Sequence, residues 1–467
     1  MTSVSATAIC RFIERLNREG VCIHGFELRV DGRVRAEGYW QPFQRGEPHR
    51  MYSVSKSIVS LAIGLLIADG KLTLTDKIAD FFPEYLPEAP DPRLLRLTLR
   101  DMLRMATCYR KTTYREGVDR DWAQTFFTAA PTHEPGVMFH YDTSCSQVLC
   151  ALVQKLTNRP IVAFLTERLF APLGCTDAIR WLTDPSGVPQ GGTGLLMSLR
   201  DLGKVAQCVL DGGNGLLPAE YLRAATTRQI QTDGRDAPEE QFGYGYQFWM
   251  TRHGWAMYGM GGQMAIACPA ERVLLCTIAD TRLQGGVQML YDAFFEEIMA
   301  HLGEVGLPAD EARLQNLCAA LSYPALPHTA GTWRVTDAEF QVRGESGLRR
   351  VRFAARAVTF VWADGADCFA WGAWGETVRG RWSDGEETLS SAALTPDGAL
   401  HLRVQRIGDA PCGIELYCYP KGDTISIRMK RSADPMTNRY DGVVWGERIE
   451  KGAHGGCAPS GIINREF

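Results

Sequence analysis

The sequence predicts an α/β fold of the α+β kind followed by an all-β domain, and three observations carry that division. From residue 5 to residue 302, segments with helical spacing alternate with strand-like segments. Around 303–332 the character changes: Gly306-Leu307-Pro308, a short helical stretch, then Pro324, Pro327 and Gly331 mark a linker. Beyond it, short β-type runs such as Val351–Trp362, Leu400–Gln405, Ile414–Tyr419 and Ile425–Met429 are separated by Asp-Gly or Gly-Asp turns. That tail holds six of the eleven Trp and reads as a sandwich or barrel. The expected layout is a first domain over 1–305, a linker over 306–330 and a β-domain over 331–467.

Taken in order, residues 5–19 place Ile9, Phe12, Ile13 and Leu16 on one helical face. Residues 21–42 predict a hairpin, because Asp31-Gly32 between two apolar runs is the strongest short hairpin signal. Residues 57–68 are apolar almost all round a helix and stop at Asp69-Gly70, so that helix must be buried in a large core. From 72 to 240, helical segments alternate with loops rich in Pro and Gly. Strand-like composition returns over 244–281, and 285–302 predicts a closing helix.

Composition excludes several classes of function. An apolar fraction of 45% and a charged fraction of 22% suit a packed globular chain, not a disordered one. Net charge is −4, from 50 basic and 54 acidic residues, which gives no footprint for nucleic acid. No run approaches the length of a membrane helix. The first residues lack the charged and apolar regions of a secretory signal, and the 14 Cys form no C-x-x-C pair. A reduced, cytoplasmic chain without metal or cofactor is expected. Cys145, Cys150, Cys208 and Cys276 sit among apolar neighbours and are expected in the core. Oligomeric state is open.

There is no G-x-S-x-G, H-E-x-x-H, P-loop or G-x-G-x-x-G. What remains is Ser53-Val54-Ser55-Lys56. Three residues apart at a helix start, Ser and Lys share one face and can touch. A serine hydroxyl needs a base before it is a nucleophile, and a lysine against apolar walls loses basicity enough to be one. Of nine Lys, only Lys56 has a Ser three places before it. The tetrapeptide alone is also compatible with a capping Ser beside a solvated Lys.

The flanking sequence goes further. Met51–Gly64, Asp69–Asp76 with Phe81-Phe82-Pro83-Glu84, Leu97–Met105, Glu134–Tyr141, Leu169–Gly174, Gly191–Gly194, Ser198–Leu202 and Tyr258–Gln263 follow in an order that resembles the serine β-lactamase and penicillin-binding-protein superfamily. Within it the chain is similar to class C-like serine hydrolases, including family VIII carboxylesterases and 6-aminohexanoate-dimer hydrolases. The resemblance spans about 48–281. It implies a β-lactamase/transpeptidase-like antiparallel sheet flanked by a helical subdomain. It makes Ser53 the nucleophile, Lys56 its partner and Tyr141 the phenol that shares a proton with Lys56 and protonates the leaving group. The backbone N–H groups of Ser53 and Gln263 would form the oxyanion hole, on the strand edging the site. Thr143, Met260, Gly261 and Gly262 would contact substrate.

The chain departs from the family at three of these positions. Thr143 stands where an Asn or Ser is usual, Cys108 where relatives often carry Gly, and Met260 where penicillin-recognising members carry Lys or His. Without that cation, uncharged short esters or small amides are expected to be preferred over β-lactams and D,D-peptides, unless an Arg elsewhere binds a carboxylate. The implied reaction is acyl transfer to Ser53, then hydrolysis. A β-lactamase or D,D-peptidase, an acyltransferase using the same acyl-enzyme, and an idle binding protein are the alternatives. His140 is expected to be structural, because neighbours on a strand face opposite ways. Asp201 reads as a helix-start acid, and Arg349-Arg350-Val351-Arg352 as a solvated strand face.

Overall fold

The structure is a computed structural model describing residues 2–175, 179–235, 237–344, 347–408, 412–432 and 439–449. Helix α1 (Ala6–Arg18) starts where the Ser5 hydroxyl accepts the Ala8 N–H. Strands β1 (Ile23–Val30) and β2 (Arg33–Tyr39) follow as the expected hairpin. Asp31 and Gly32 both have positive φ, 48° and 79°, as a two-residue turn matching the strand twist requires.

A short β3 (His49–Arg50) leads into α2 (Val54–Ala68). Every residue from Val54 to Leu66 is buried. Its serines are satisfied across helix boundaries: Ser57 Oγ donates to the Gln247 carbonyl and Ser60 Oγ to that of Tyr246. Gly70, at φ 69°, turns the chain out of the helix.

β3 pairs with β5 (Leu195–Met197), which also pairs with β4 (Arg180–Trp181). β6 (Trp249–Thr251), β7 (Gly254–Gly259), β8 (Gln263–Cys268) and β9 (Val273–Ala279) then build the main sheet. It is antiparallel, in the order β2-β1-β9-β8-β7-β6, so the N-terminal hairpin lies against the last strand. Both faces are covered, which explains the near-continuous apolar runs of β8 and β9. Met264, Ile266 and Leu275 face α1 and the helix Gln288–Glu297, while Ala265, Ala267 and Leu274 face the core around α2. The closing segment is one helix over Gln288–Glu297 with 3₁₀ turns on either side, and Pro308–Ala319 is helical. Cys145, Cys150, Cys208 and Cys276 are buried in the α2 core.

The tail forms one ten-stranded sheet from β10 (Ala338–Arg343), β11 (Leu348–Ala354), β12 (Ala357–Trp362), β13 (Gly365–Ala370), β14 (Val378–Arg381), β15 (Glu387–Leu394), β16 (Leu400–Arg406), β17 (Gly413–Lys421), β18 (Thr424–Arg431) and β19 (Gly442–Arg448). Its end strands β13 and β14 adjoin, making a nearly closed barrel. Alternate residues such as Phe360, Trp362, Ile425 and Ile427 fill the interior. Arg350 and Arg352 lie on the outer face, paired with Glu339.

By contacts the chain divides into two compact units. The first is Met1–Pro324 with Gln405–Gly413 and Arg431–Pro435; the second is Ala325–Val404, Ile414–Lys430 and Met436–Phe467. Among the described residues no single helix is long and apolar enough to cross a membrane.

Candidate active site

Ser53 occupies the N-cap of α2, yet its hydroxyl caps nothing. Lys56 Nζ lies 2.9 Å from Ser53 Oγ instead. Lys56 is 1% exposed, so it is neither the solvated lysine nor Ser53 the capping serine of the simpler reading. Nζ also donates to the Gly192 carbonyl at 2.7 Å, which fixes the side chain in both charge states. Burial pulls the Lys56 pKa down to about 7, with Cys145 and Asp142 acting the other way. Tyr52, just before the nucleophile, has φ 45°, a sparsely populated conformation for a bulky residue and a mark of local strain.

Tyr141 completes the cluster. Its ring centroid is 5.1 Å from Lys56 Nζ, and Trp249 stacks on it at 5.5 Å. Burial raises the Tyr141 pKa above its ordinary range, and interaction with the Ser53 hydroxyl opposes that rise. Two neighbouring titratable groups are thus driven apart: the amine toward its neutral form, the phenol toward its protonated form. Such a pair can divide base and acid work.

The segment carrying Tyr141 is a loop, not a strand. His140 N–H donates to the Met105 carbonyl, and Asp142 caps the helix Thr143–Thr157 by accepting the Ser144 N–H at 2.9 Å. The alternation argument for His140 therefore does not apply, although His140 is absent from the cavity wall. Asp142 went unnoticed in the sequence; an Asp immediately before a helical run was the available signal. Burial raises its pKa to about 6.

Ser53 opens onto a cavity of about 290 Å³ whose walls include Tyr52, Tyr141, Thr143, Thr193, Trp249, Tyr258 and Met260. Thr143 and Met260 are among those lining residues; Gln263, Gly261 and Gly262 are not. β8 is an interior strand, so the Gln263 backbone lies between β7 and β9 and away from α2. The Gln263 side chain donates to the Met260 and Ala279 carbonyls and accepts the Ala279 N–H. Gly261 and Gly262 turn toward Ala279, Asp280 and Leu290.

The edge that meets α2 is the end of β7. A Cβ on Gly259 would come within 2.2 Å of the Met51 carbonyl oxygen, so only glycine allows that approach. Past Ala256, β7 has no partner on the β6 side. Among the described residues, neither the Ser53 nor the Met260 N–H has an acceptor. Ser53 and Met260 both line the cavity, and their two N–H groups are open to an acceptor there.

Other residues of the cavity were not singled out in the sequence. Arg115 and Thr112 come from the loop before helix Trp122–Thr128, and Arg235 and Glu240 from the charged loop before β6. Arg235 Nε donates to Glu240 at 2.7 Å. A second cavity, of about 450 Å³, shares Arg235, Glu240 and Tyr258 with the first and runs on to Gly285–Gln288. None of these loops matches a recognisable motif. Among the described residues no group of His, Cys, Asp and Glu could hold a metal ion.

The family model described as Beta-lactamase matches residues 26–279. The chain belongs to the beta-lactamase family. Among curated members, the 6-aminohexanoate-dimer hydrolase of Paenarthrobacter ureafaciens is 25% identical over 256 residues, 50% of this chain and 65% of the relative. Esterase EstB of Burkholderia gladioli is 22% identical over 267 residues, 44% of this chain and 67% of the relative. The first of these matches thus spans just under two thirds of the hydrolase's length. Among solved beta-lactamase-like structures, the D-amino acid amidase of Ochrobactrum anthropi SV3 in complex with L-phenylalanine superposes with a TM-score of 0.51 at 18% identity, covering 62% of this chain and 98% of the amidase. EstCE1, a hydrolase with promiscuous acyltransferase activity, has a TM-score of 0.51 at 17% identity, with the same two coverages of 62% and 98%. These structural likenesses bear on the fold: a beta-lactamase-like first unit, followed here by the ten-stranded barrel.

Proposed function

We propose that this chain is a serine hydrolase that cleaves esters or small amides through an acyl-enzyme on Ser53. One observation carries the reading: Ser53 Oγ sits 2.9 Å from the amine of a fully buried lysine held near pKa 7. Neutral Lys56 takes the Ser53 proton as Oγ attacks the carbonyl carbon. The Ser53 and Met260 N–H groups hold the developing oxyanion. Tyr141, protonated, passes a proton to the departing alkoxide or amine and is resupplied from Lys56. Water then enters by the same route in reverse and releases the acid, restoring Ser53.

The names of the curated relatives, an amide-dimer hydrolase and an esterase, support the same class of bond. Acyl transfer to an alcohol uses identical groups, and the EstCE1 likeness keeps it as the second reading. Intact-mass spectrometry after exposure to a fluorophosphonate, a p-nitrophenyl ester and a penicillin tests the proposal. A single adduct that maps to Ser53, and disappears in Ser53→Ala, is expected. Labelling at Ser55 or Ser57 instead would sink it.

A further inference from the structure

The loop that leaves β9 grips the turn Met260-Gly261-Gly262 both by backbone and by side chain. Thr281 N–H donates to the Gly261 carbonyl at 3.0 Å, and the Thr281 hydroxyl reaches the same oxygen at 3.3 Å. Arg282 Nη1 donates to the Met260 sulfur at 3.0 Å. Met260 lines the Ser53 cavity, and Arg282 does not. A thioether is a weak acceptor on a side chain with several rotatable bonds. A guanidinium donating to it adds little binding energy, but its planar fork gives that side chain one direction.

The fork itself is anchored. Arg282 Nε lies 3.6 Å from Asp280 Oδ1, and Asp280 is 3% exposed. Asp280 Oδ2 accepts the Ser432 hydroxyl, whose oxygen in turn accepts the Gly413 N–H at 2.7 Å. Ser432 N–H donates to the Gly413 carbonyl at 2.8 Å. Ser432 and Gly413 belong to the late segments that complete the first unit. Arg282 Nη2 is buried without a hydrogen-bond partner among the described residues. A cation with one loose counter-ion and one unmade bond contributes little to stability, so its hold on Met260 is the role that remains.

We infer that Arg282 is a positioning residue for the Met260 N–H at the Ser53 cavity, and that Ser432, through Asp280, sets the direction of its guanidinium. The inference deepens the Ser53 hydrolase reading and rests on it for any effect on rate. Arg282 acts through Met260: it keeps the thioether from swinging across the cavity and the turn from shifting the N–H that meets the oxyanion.

The test follows turnover of p-nitrophenyl butyrate and inhibition by butylboronic acid, whose boron takes up a serine oxygen to form a tetrahedral anion. Arg282→Gln should lower kcat about tenfold with little change in KM, and should weaken the boronate in proportion. Arg282→Lys, which keeps a donor, should restore part of both. Ser432→Ala, a smaller change that keeps the test open should Arg282→Gln misfold, should act in the same direction and less strongly. An unchanged kcat in both variants, a loss confined to KM, or a lower kcat with boronate affinity intact overturns the positioning role. An independent readout is the isotope-labelled methyl resonance of Met260 in the full chain, assigned by its loss in Met260→Leu. It should move in Arg282→Gln and also in Ser432→Ala, where the change is two contacts away. A resonance that stays in place in Ser432→Ala overturns the coupling whatever the rates. One that moves while Ser53→Ala keeps full turnover upholds the coupling and sinks the acyl-enzyme reading alone.

Discussion

At the scale of single residues, the decisive feature is how Lys56 is held. Its amine has two fixed partners and is buried, so a substitution that keeps charge but loses titration should fail. Lys56→Arg is expected to lower kcat/KM for a p-nitrophenyl ester by at least about a thousandfold, since guanidinium cannot give up a proton near neutrality. In the unmodified chain the rate should climb as pH rises through about 7, because the neutral amine is the active form. A rate that falls over that interval would remove Lys56 as base. Gly192 is equally exposed to test. A Cβ there would meet Thr143 Cγ2 at 2.2 Å and Lys56 Nζ at 3.3 Å. Gly192→Ala should therefore cost activity well beyond its effect on stability, read by comparing kcat with the midpoint of urea unfolding. Ser53, Lys56 and Tyr141 were legible in the chain because their chemistry depends on short spacing and an ordered set of flanking segments. Arg115, Arg235 and Glu240 were not, because they come from two separate loops and only tertiary folding brings them to one cavity.

Among the elements, the hairpins show what local sequence can and cannot specify. Asp31-Gly32 fixes its turn by backbone conformation alone, and the expected strands appeared on either side of it. The turn Met260-Gly261-Gly262 was legible as a motif but not in its orientation. Which residue meets α2 depends on where β6 stops pairing with β7, a fact with no counterpart in the local sequence. Gln263 thereby changes role, from a presumed backbone donor to the side chain that ties the turn to β9. Replacing it by Leu removes those side-chain bonds from a buried site. A loss of about 2–3 kcal/mol in unfolding free energy is expected, together with a lower kcat as the Met260 N–H drifts. If the Gln263 backbone were itself the donor and the side chain incidental, Gln263→Leu would leave kcat of the folded fraction intact. The closing segment was also only partly legible: its helix is confined to Gln288–Glu297, and left-handed Gly285 and Gly286 precede it.

On the scale of the whole molecule, stability should carry a signature of two buried imidazoles. His24 and His49 are 0% and 2% exposed, their rings 5.3 Å apart, and among the described residues both nitrogens of His24 and Nδ1 of His49 have no hydrogen-bond partner. Burial holds His49 down to about 4 and His24 well below its ordinary value. Unfolded histidines bind protons below about 6.5, while the folded ones still refuse them, so stability falls as pH drops from 6.5 toward 4. The expected loss is about 3 kcal/mol for His49 alone, and His24→Phe/His49→Phe should flatten the limb between pH 6.5 and 4.5 in chemical denaturation. An unchanged limb would mean the imidazoles are hydrated in solution. The division of the chain has a different consequence, one of timing. The first unit runs from Met1 to Pro324 but is completed by Gln405–Gly413 and Arg431–Pro435, with the strands of the second unit made in between. At about 5–20 residues added per second, a ribosome that has finished Pro324 needs on the order of 5–20 seconds more before the last of those segments exists. During that interval the first unit lacks its last segments, so its completion is tied to the synthesis of most of the second.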